Sequence, residues 1–478
     1  MTQFHGMSKR SPETLVSGQI ARFGRLFPGL SPSHFPEDGL RELAAAMKDT
    51  SFESTAGDNR NVPAGFTYLG QFIDHDITLD TTSLSAAGQS TELPGNFRTP
   101  KLDLDCLYGS GPEPHPFLYT RRRGGAGPKL VIGTTSQVPG KDTSIPVGLP
   151  NDLPRSVEGF PIIGDPRNDE NLNVSQLQLA MLKFHNKIVD RIAAQHSNQG
   201  EQFEEAQRLT RWHYQWVIVH DFLPRILDQS VLNDVLTNGR RFYTPSRCFI
   251  PVEFSVAAYR LGHSMVRESY TTNRIFQDGV SGRATLKDLF TFSGLLGDGT
   301  TVPIPSERVI DWNRFFELDD SSNLNFSRNL DPFTVPSLHT LPLGPGEELS
   351  LPFRNLLRSQ RVGLPSAQRV VARMSMRPLQ PSEIATGPDG QVAAQHGFHN
   401  QTPLWYYILK EAQIQANGKH LGQVGSRLVA EVFIGLLETD PTSYLGSAPE
   451  WTPQDFGTNG NFTMADLLRF VDDINPLG

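Results

Sequence analysis

A histidine between two aspartates, Asp74-His75-Asp76, closes the stretch Gly65-Phe66-Thr67-Tyr68-Leu69-Gly70-Gln71-Phe72-Ile73-Asp74-His75-Asp76. Written on a helix, Gln71, Asp74 and His75 fall at i, i+3 and i+4 and share one face. Phe66, Leu69, Phe72 and Ile73 recur at helical spacing and fill the core side. Charged groups are costly to bury unless something pairs with them. Histidine is the side chain best suited to carry a proton near neutral pH. Taken alone, the helix is equally compatible with a satisfied histidine beside incidental acids.

Three further groups have the residue types for chemistry. Arg167 and Glu170 stand at i, i+3 in Gly164-Asp165-Pro166-Arg167-Asn168-Asp169-Glu170, the spacing of an ordinary local ion pair. Tyr259-Arg260-Leu261-Gly262-His263-Ser264-Met265 sets a glycine beside a histidine. Gly inside a helix costs up to about 1 kcal/mol relative to Ala, so the missing side chain reads as room for something flat or bulky. Thr99, Lys101, Asp103 and Asp105 alternate along what reads as an extended loop. They offer a hydroxyl, a backbone carbonyl and two carboxylates, hard oxygens of the kind Ca²⁺ takes. Alternating acids also occur in plain solvated loops.

The elements that must position these groups are mostly helical. The chain has 478 residues, 37% hydrophobic and 20% charged, ample for a large core. Its net charge of −8 argues against nucleic-acid binding, which needs concentrated positive charge. Arg121-Arg122-Arg123, with glycines after it, reads as a solvated loop. Two cysteines, Cys106 and Cys248, exclude a disulfide framework but not one bridge. Met1 to Gly18 lacks the apolar core of a secretory leader, and no stretch is apolar enough to span a membrane. The expected compartment is the cytoplasm, or the exterior by a non-classical route.

Residues 1–60 read as an N-terminal arm and 61–478 as a single core. The pattern Val174, Leu177, Met181, Ile188, Ile192 predicts a long helix, with Asp169 and Glu170 near its N-terminus. Further helices are expected over Phe203 to Asp228, Pro251 to Val266, Leu404 to Ala416 and Val424 to Leu437, the last two amphipathic. Thr463-Met464-Ala465-Asp466 reads as a capping box. The 36 Pro and 42 Gly predict long loops, with a short hairpin within 124–165 at most. The expected fold is mainly α, with long loops and little β.

Taken together, the motifs Gly70-Gln71-Phe72-Ile73-Asp74-His75-Asp76, Asp165-Pro166-Arg167-Asn168-Asp169-Glu170, Arg260-Leu261-Gly262-His263 and Asn355-Leu356-Leu357-Arg358-Ser359 resemble, in order, the animal-type haem peroxidases (the peroxidase–cyclooxygenase superfamily). The resemblance runs from about residue 60 to the C-terminal helices. It implies haem b buried between a distal and a proximal helix. It also implies a peroxidase that reduces hydrogen peroxide and oxidises halide, thiocyanate or small aromatic donors such as phenols through a ferryl intermediate. His75 matches the distal histidine, Arg167 the distal arginine and Gln71 the distal glutamine. His263 matches the proximal iron ligand and Asn355 the asparagine that accepts its other ring proton. Arg260 and Arg358 match arginines near the haem propionates. Asp74 and Glu170 match carboxylates that some members join to the haem as esters. Asp76, Thr99, Lys101 through its carbonyl, Asp103 and Asp105 match a Ca²⁺ loop. A histidine ligand held by an asparagine oxygen is less electron-rich than one held by a carboxylate.

Departures from the pattern narrow the reading. Asn171 follows Glu170 where the chlorinating mammalian member has a haem-linked methionine, so that third link is absent. The fatty-acid dioxygenase reading, kept as the alternative, needs a tyrosine three residues before His263. That place is Arg260, and Tyr259 is one step, about 100°, away. Arg358-Ser359-Gln360-Arg361 replaces the acidic–His pair of many members. A catalytically inert haem or interaction protein is the third reading. The paucity of cysteine resembles bacterial relatives that lack a leader.

Overall fold

The computed structural model describes residues 21–81, 93–137, 145–297, 299–453, 456–457 and 460–478. The first 20 residues of the expected arm, including the segment searched for a leader, lie outside these, as does most of the Ser/Thr-rich loop after the His75 helix. The described chain is mainly helical. Among the described residues strand occurs as two-stranded antiparallel ladders, such as Asp58–Pro63 with Phe326–Arg328 and Tyr119–Arg122 with Gly125–Leu130. The second ladder begins ahead of the expected hairpin region, and it places Arg121, Arg122 and Arg123 exposed at its turn. The helices include α1 (Glu37–Ala46), α2 (Gly65–Ile77), α3 (Leu172–Ile192), α4 (Gln199–Val217), α5 (Gln229–Asn238), α6 (Leu351–Arg361), α7 (Leu404–Ala416), α8 (Gln423–Thr439) and α9 (Met464–Val471). No described helix is long and apolar enough to cross a membrane.

Helix α2 carries the Gln71–Asp76 motif, and its ends are set from outside. Ala64 at its start offers no capping side chain. The first N–H groups are satisfied by tertiary carbonyls instead: Ala64 donates to Asn325 at 2.8 Å and Gly65 to Phe315 at 2.8 Å. A Cβ at Gly65 would sit 2.4 Å from the Phe316 ring and 2.5 Å from the Phe315 carbonyl oxygen, so only glycine admits this approach. Gly65→Ala will lower stability by about 1–3 kcal/mol, read as a lower melting temperature. At the other end Thr78 donates its hydroxyl to the Asp74 carbonyl at 2.9 Å as the chain turns extended. Phe66, Leu69, Phe72 and Ile73 are buried as their spacing predicts.

Helix α3 buries all of Val174, Leu177, Met181, Ile188 and Ile192, and Asn171 caps it by accepting from the Val174 N–H at 3.0 Å. Asp169 and Glu170 lie one step earlier, in a short 3₁₀ turn (Pro166–Asp169) and its end. Helix α4 starts ahead of the expected Phe203 because Asn198 caps it. It then widens into a π turn, Ile218–Phe222, before a last α turn, Leu223–Ile226. Pro224 has no N–H to give to the ladder, and the wider turn absorbs it. The expected helix over Pro251 to Val266 is broken into Val252–Ser255, a 3₁₀ turn Ala258–Leu261 and Gly262–Met265. Ala257, at φ −129° and ψ −75°, leaves helical geometry. Side chains take carbonyls that a continuous helix would use: Arg260 Nε bonds Ser255 O at 2.9 Å, and Trp405 Nε1 bonds Arg260 O at 3.2 Å.

Helix α7 has the expected bounds and α8 runs slightly beyond them, but amphipathic they are not. Every residue of α8 from Val424 to Leu437 is buried, including Arg427 and Glu431. The polar groups are covered by partners rather than water. Glu431 accepts N–H bonds from Arg241, Phe242 and Tyr243 at 2.9–3.2 Å, and Lys410 pairs with Asp389 at 2.9 Å. Glu411 accepts the Val424 and Gly425 N–H groups at the start of α8. Burial nevertheless pushes its carboxyl up to about 7. A carboxyl raised in the folded state contributes stability that is full below its unfolded value, about 4.3, and is lost as pH rises through about 7. Glu411→Gln will therefore flatten the fall of melting temperature across that window and melt above the parent at pH 8. The capping box at Thr463 forms as written, with Asp466 returning to the Thr463 N–H.

Candidate active site

The α2 histidine is buried and hydrogen-bonded through one ring nitrogen, with the other near a carboxylate. Its Nδ1 lies 2.7 Å from Asn168 Oδ1, and its Nε2 lies 3.5 Å from Glu170 Oε1. Gln71, one turn back on α2, donates its amide to the same Glu170 oxygen and accepts from Asn171 Nδ2 at 3.1 Å. The expected sharing of a face by Gln71 and His75 is thus observed: both reach Glu170. Asp74 turns aside, its carboxylate taking the Thr78 hydroxyl at 3.2 Å.

Arg167 does not pair with Glu170 as the i, i+3 spacing suggested. Its guanidinium is doubly bonded to Asp165, at 3.1 Å through Nε and 2.7 Å through one terminal nitrogen. That same nitrogen reaches the carbonyls of His75, at 3.0 Å, and Thr78. The cation therefore sits on the C-terminal carbonyls of α2, where the helix dipole favours it. Asp165 is fully buried, yet Arg167, Arg98 and His75 outweigh that burial and hold its carboxyl down at about 2.

On the opposite side, Asn355 of α6 places Nδ2 2.8 Å from His263 Nδ1. The expected contact had the amide oxygen there. The two ends of an amide are nearly isosteric and exchange by a half-turn, and the ring tautomer decides which one bonds. Burial, with Arg260 adding to it, pushes His263 down to about 3, so the ring is neutral at physiological pH. A Cβ built on the neighbouring Gly262 meets nothing within 4 Å, so the space beside His263 is open. The turn that carries His263 is tied to α2 by Thr67 Oγ1 on Met265 O at 3.5 Å and by Tyr259 OH on Gly70 O at 3.2 Å. Arg358 pairs with Asp80 at 2.8 Å, and burial, with Arg260 among the nearby cations, lowers its guanidinium. Tyr259 stacks on Phe254 at 4.9 Å, occupied by packing and by the α2 backbone.

The acids gather at a third point. Carboxylate oxygens of Asp76, Asp103 and Asp105 lie within 4.8 Å of one another. The segment is curled rather than extended: Leu104, at φ 59°, swings Asp103 and Asp105 inward, and Asp105 opens a short helix (Asp105–Tyr108). Thr99 joins them, its hydroxyl donating to Asp103 at 2.8 Å. The Lys101 side chain points away to Asp440 at 3.0 Å. Asp76 accepts from the Leu104 N–H through one oxygen, while its other oxygen is buried without a hydrogen bond. Burial first, then Asp103 and Asp105, push Asp76 up, and burial with Asp103 pushes Asp105 up to about 6. An orphaned buried oxygen among mutually repelling acids fits a bound cation. Cys106 is buried beside this cluster, and Cys106 and Cys248 are both free thiols.

Arg98 links the acid cluster to the histidine side. It bonds Asp105 at 3.2 Å and pairs with Asp165 at 2.9 Å, and Asp165 in turn holds Arg167. Arg98, Asp165, Asn168 and Gln178 were not singled out by sequence reasoning. The i, i+2 pair Asp165–Arg167 around a proline was the available signal, but the other three act only through tertiary approach.

An animal haem peroxidase family model matches residues 83–299, which include Thr99–Asp105, Arg167, Glu170, Arg260 and His263. Peroxinectin A of Dictyostelium discoideum is 23% identical over 345 residues, 70% of this chain and 59% of that protein, so the chain spans less than two thirds of this relative. Chorion peroxidase of Aedes aegypti is 24% identical over 259 residues, 42% of this chain and 33% of that one. Among solved structures, peroxidase A of D. discoideum superposes with a TM-score of 0.68 at 18% identity, covering 98% of this chain and 96% of that one. A fatty acid alpha-dioxygenase of Arabidopsis thaliana superposes with a TM-score of 0.63 at 16% identity, covering 95% and 76%. At such identities the superpositions speak to fold.

Proposed function

We propose that this chain, whose residues 83–299 match an animal haem peroxidase family model, reduces hydrogen peroxide and oxidises halide, thiocyanate or small phenols, with haem b and Ca²⁺ bound. The observation that carries this reading is the His75 site. A buried histidine of α2 has one ring nitrogen on Asn168 and the other 3.5 Å from Glu170, and the turn tied to the same helix carries His263 beside an open space. His263 would ligate the iron through Nε2 while Asn355 holds Nδ1. Arg260 and Arg358 would meet the propionates, and Asp74 and Glu170 would be the carboxylates of any ester links. When bound, the haem supplies the redox chemistry that cleaves the O–O bond. His75 takes the proton from the incoming peroxide on Nε2 and returns it to the departing oxygen, as general base and then acid. Arg167, paired with Asp165 and bonded to the His75 carbonyl, would add positive charge at that end of α2. Asp76, Asp103, Asp105, Thr99 and the Lys101 carbonyl would hold Ca²⁺, and Asp76 adjoins His75 directly, so the cation braces α2.

An absorption spectrum of the purified protein, with and without peroxide, tests the reading. A Soret band that changes with peroxide and fast oxidation of iodide or a phenol are expected. A folded protein without haem that ignores added haem would overturn it. The fatty-acid dioxygenase alternative rests on the superposition above and predicts oxygen uptake with an unsaturated fatty acid, lost in Tyr259→Phe. Haem that resists acid–organic extraction after peroxide treatment, but is released from Asp74→Val and Glu170→Gln, would support the esters.

A further inference from the structure

We infer that Asn168 and Gln178 are positioning residues that fix the tautomer of His75, holding hydrogen on Nδ1 and leaving Nε2 as the basic nitrogen. The Cys106 carbonyl can only accept a hydrogen bond. Gln178 turns Nε2 toward it at 3.5 Å, which leaves Gln178 Oε1 facing the other way. Asn168 Nδ2 donates to that oxygen at 2.8 Å. An amide has one donor end and one acceptor end. With its nitrogen committed to Gln178, Asn168 presents Oδ1 to His75 Nδ1 at 2.7 Å. An oxygen without hydrogen, at that distance from a ring nitrogen, requires the N–H to be on the ring. The neutral imidazole then has its lone pair on Nε2, the nitrogen that faces Glu170.

Burial makes the relay one-directional. Asn168 and Gln178 are fully buried and His75 nearly so, so water has no access to reverse either amide. Reversing Gln178 would set oxygen against the Cys106 carbonyl and NH₂ against the Asn168 NH₂. Reversing Asn168 alone would set oxygen against Gln178 Oε1. A backbone carbonyl in the turn beside the acid cluster therefore determines, through two amides, which nitrogen of His75 is the base. Neither amide touches the substrate. The consequence for catalysis rests on the peroxidase reading above, whereas the tautomer itself does not.

Ring ¹⁵N shifts of histidine-labelled protein in the diamagnetic ferrous carbon-monoxide form, or in the chain as purified if it holds no haem, read the tautomer directly. The His75 signal is identified by its loss in His75→Gln. The expected result is protonated Nδ1 and unprotonated Nε2 near pH 7. Gln178→Met and Asn168→Leu will admit the other tautomer, while Asn168→Asp, which keeps an acceptor at Nδ1, will retain the first. In the haem-loaded protein, cyanide association at pH 7 will fall by about 10² in Gln178→Met and Asn168→Leu, within the range a wrong tautomer costs a histidine base. Asn168→Asp will recover it. Hydrogen on Nε2 in the parent, or an unchanged tautomer in both Gln178→Met and Asn168→Leu, would overturn the inference. A parent with hydrogen on Nδ1 that fails to react with peroxide would support it and remove the peroxidase reading instead.

Discussion

His75→Ala will slow the reaction with hydrogen peroxide by about 10²–10⁴ at neutral pH, the contribution of a well-placed general base. The Soret band should persist, because His263 and Asn355 lie on other elements. The large effect follows from how little else in the site can replace the ring. Gln71 is already committed to Glu170 and Asn171, Arg167 to Asp165 and the α2 carbonyls, and Asn168 to Gln178. Of the groups meeting at Glu170, only the imidazole both accepts and returns a proton near neutral pH. Stopped-flow absorbance against peroxide concentration gives the second-order rate, and added imidazole should recover part of it. An unchanged rate would take His75 out of the chemistry and favour the inert-protein reading.

Chelation produces the second large effect, and the acid cluster predicts its shape. With Ca²⁺ at about 100 times its dissociation constant, linkage adds about 2.7 kcal/mol to the stability of the folded state. Removing it with EGTA will take away that increment, lower the melting temperature and leave Asp76, Asp103 and Asp105 repelling one another within 4.8 Å. Asp103→Asn separates the two contributions, because it removes a ligand charge and one repelling charge together. Its melting temperature will no longer respond to calcium, and without calcium it will melt no lower than the chelated parent. Melts in CaCl₂ and EGTA decide the matter. A parent insensitive to both would show that the cluster holds no cation. The loss should also reach catalysis, since Asp76 adjoins His75 and Arg98 joins Asp105 to Asp165 and so to Arg167.

Much of this arrangement is legible in one dimension because it is local. The α2 stripe, the α3 stripe, the Thr463 capping box and the bounds of α7 follow from helical spacing and caps within a few residues. The same holds for Gln71 and His75 on one face, where the angle between positions i and i+4 is a property of the helix alone. Elements whose ends depend on distant partners were misread. The Pro251 to Val266 segment breaks because Trp405 takes a carbonyl from it, and α8 is buried on every side because Arg241, Phe242 and Tyr243 cover Glu431.

The sequence by itself determined which residues could do chemistry: a histidine between acids, an arginine ahead of a long helix, a glycine beside a second histidine and an alternating run of oxygens. Tertiary structure alone decided how they are paired. Arg167 goes to Asp165 rather than to Glu170, three residues on, because Asp165 is buried against it and Glu170 is drawn to Gln71 and His75. Asp76 meets Asp103 and Asp105 only because Leu104 turns left-handed. Hydrogen bonds and charge interactions act over a few ångströms of space, whatever the separation along the chain. The groups that orient His75, Asn168 at 93 residues' remove and Gln178 behind it, therefore become visible only once α2 and α3 are packed together.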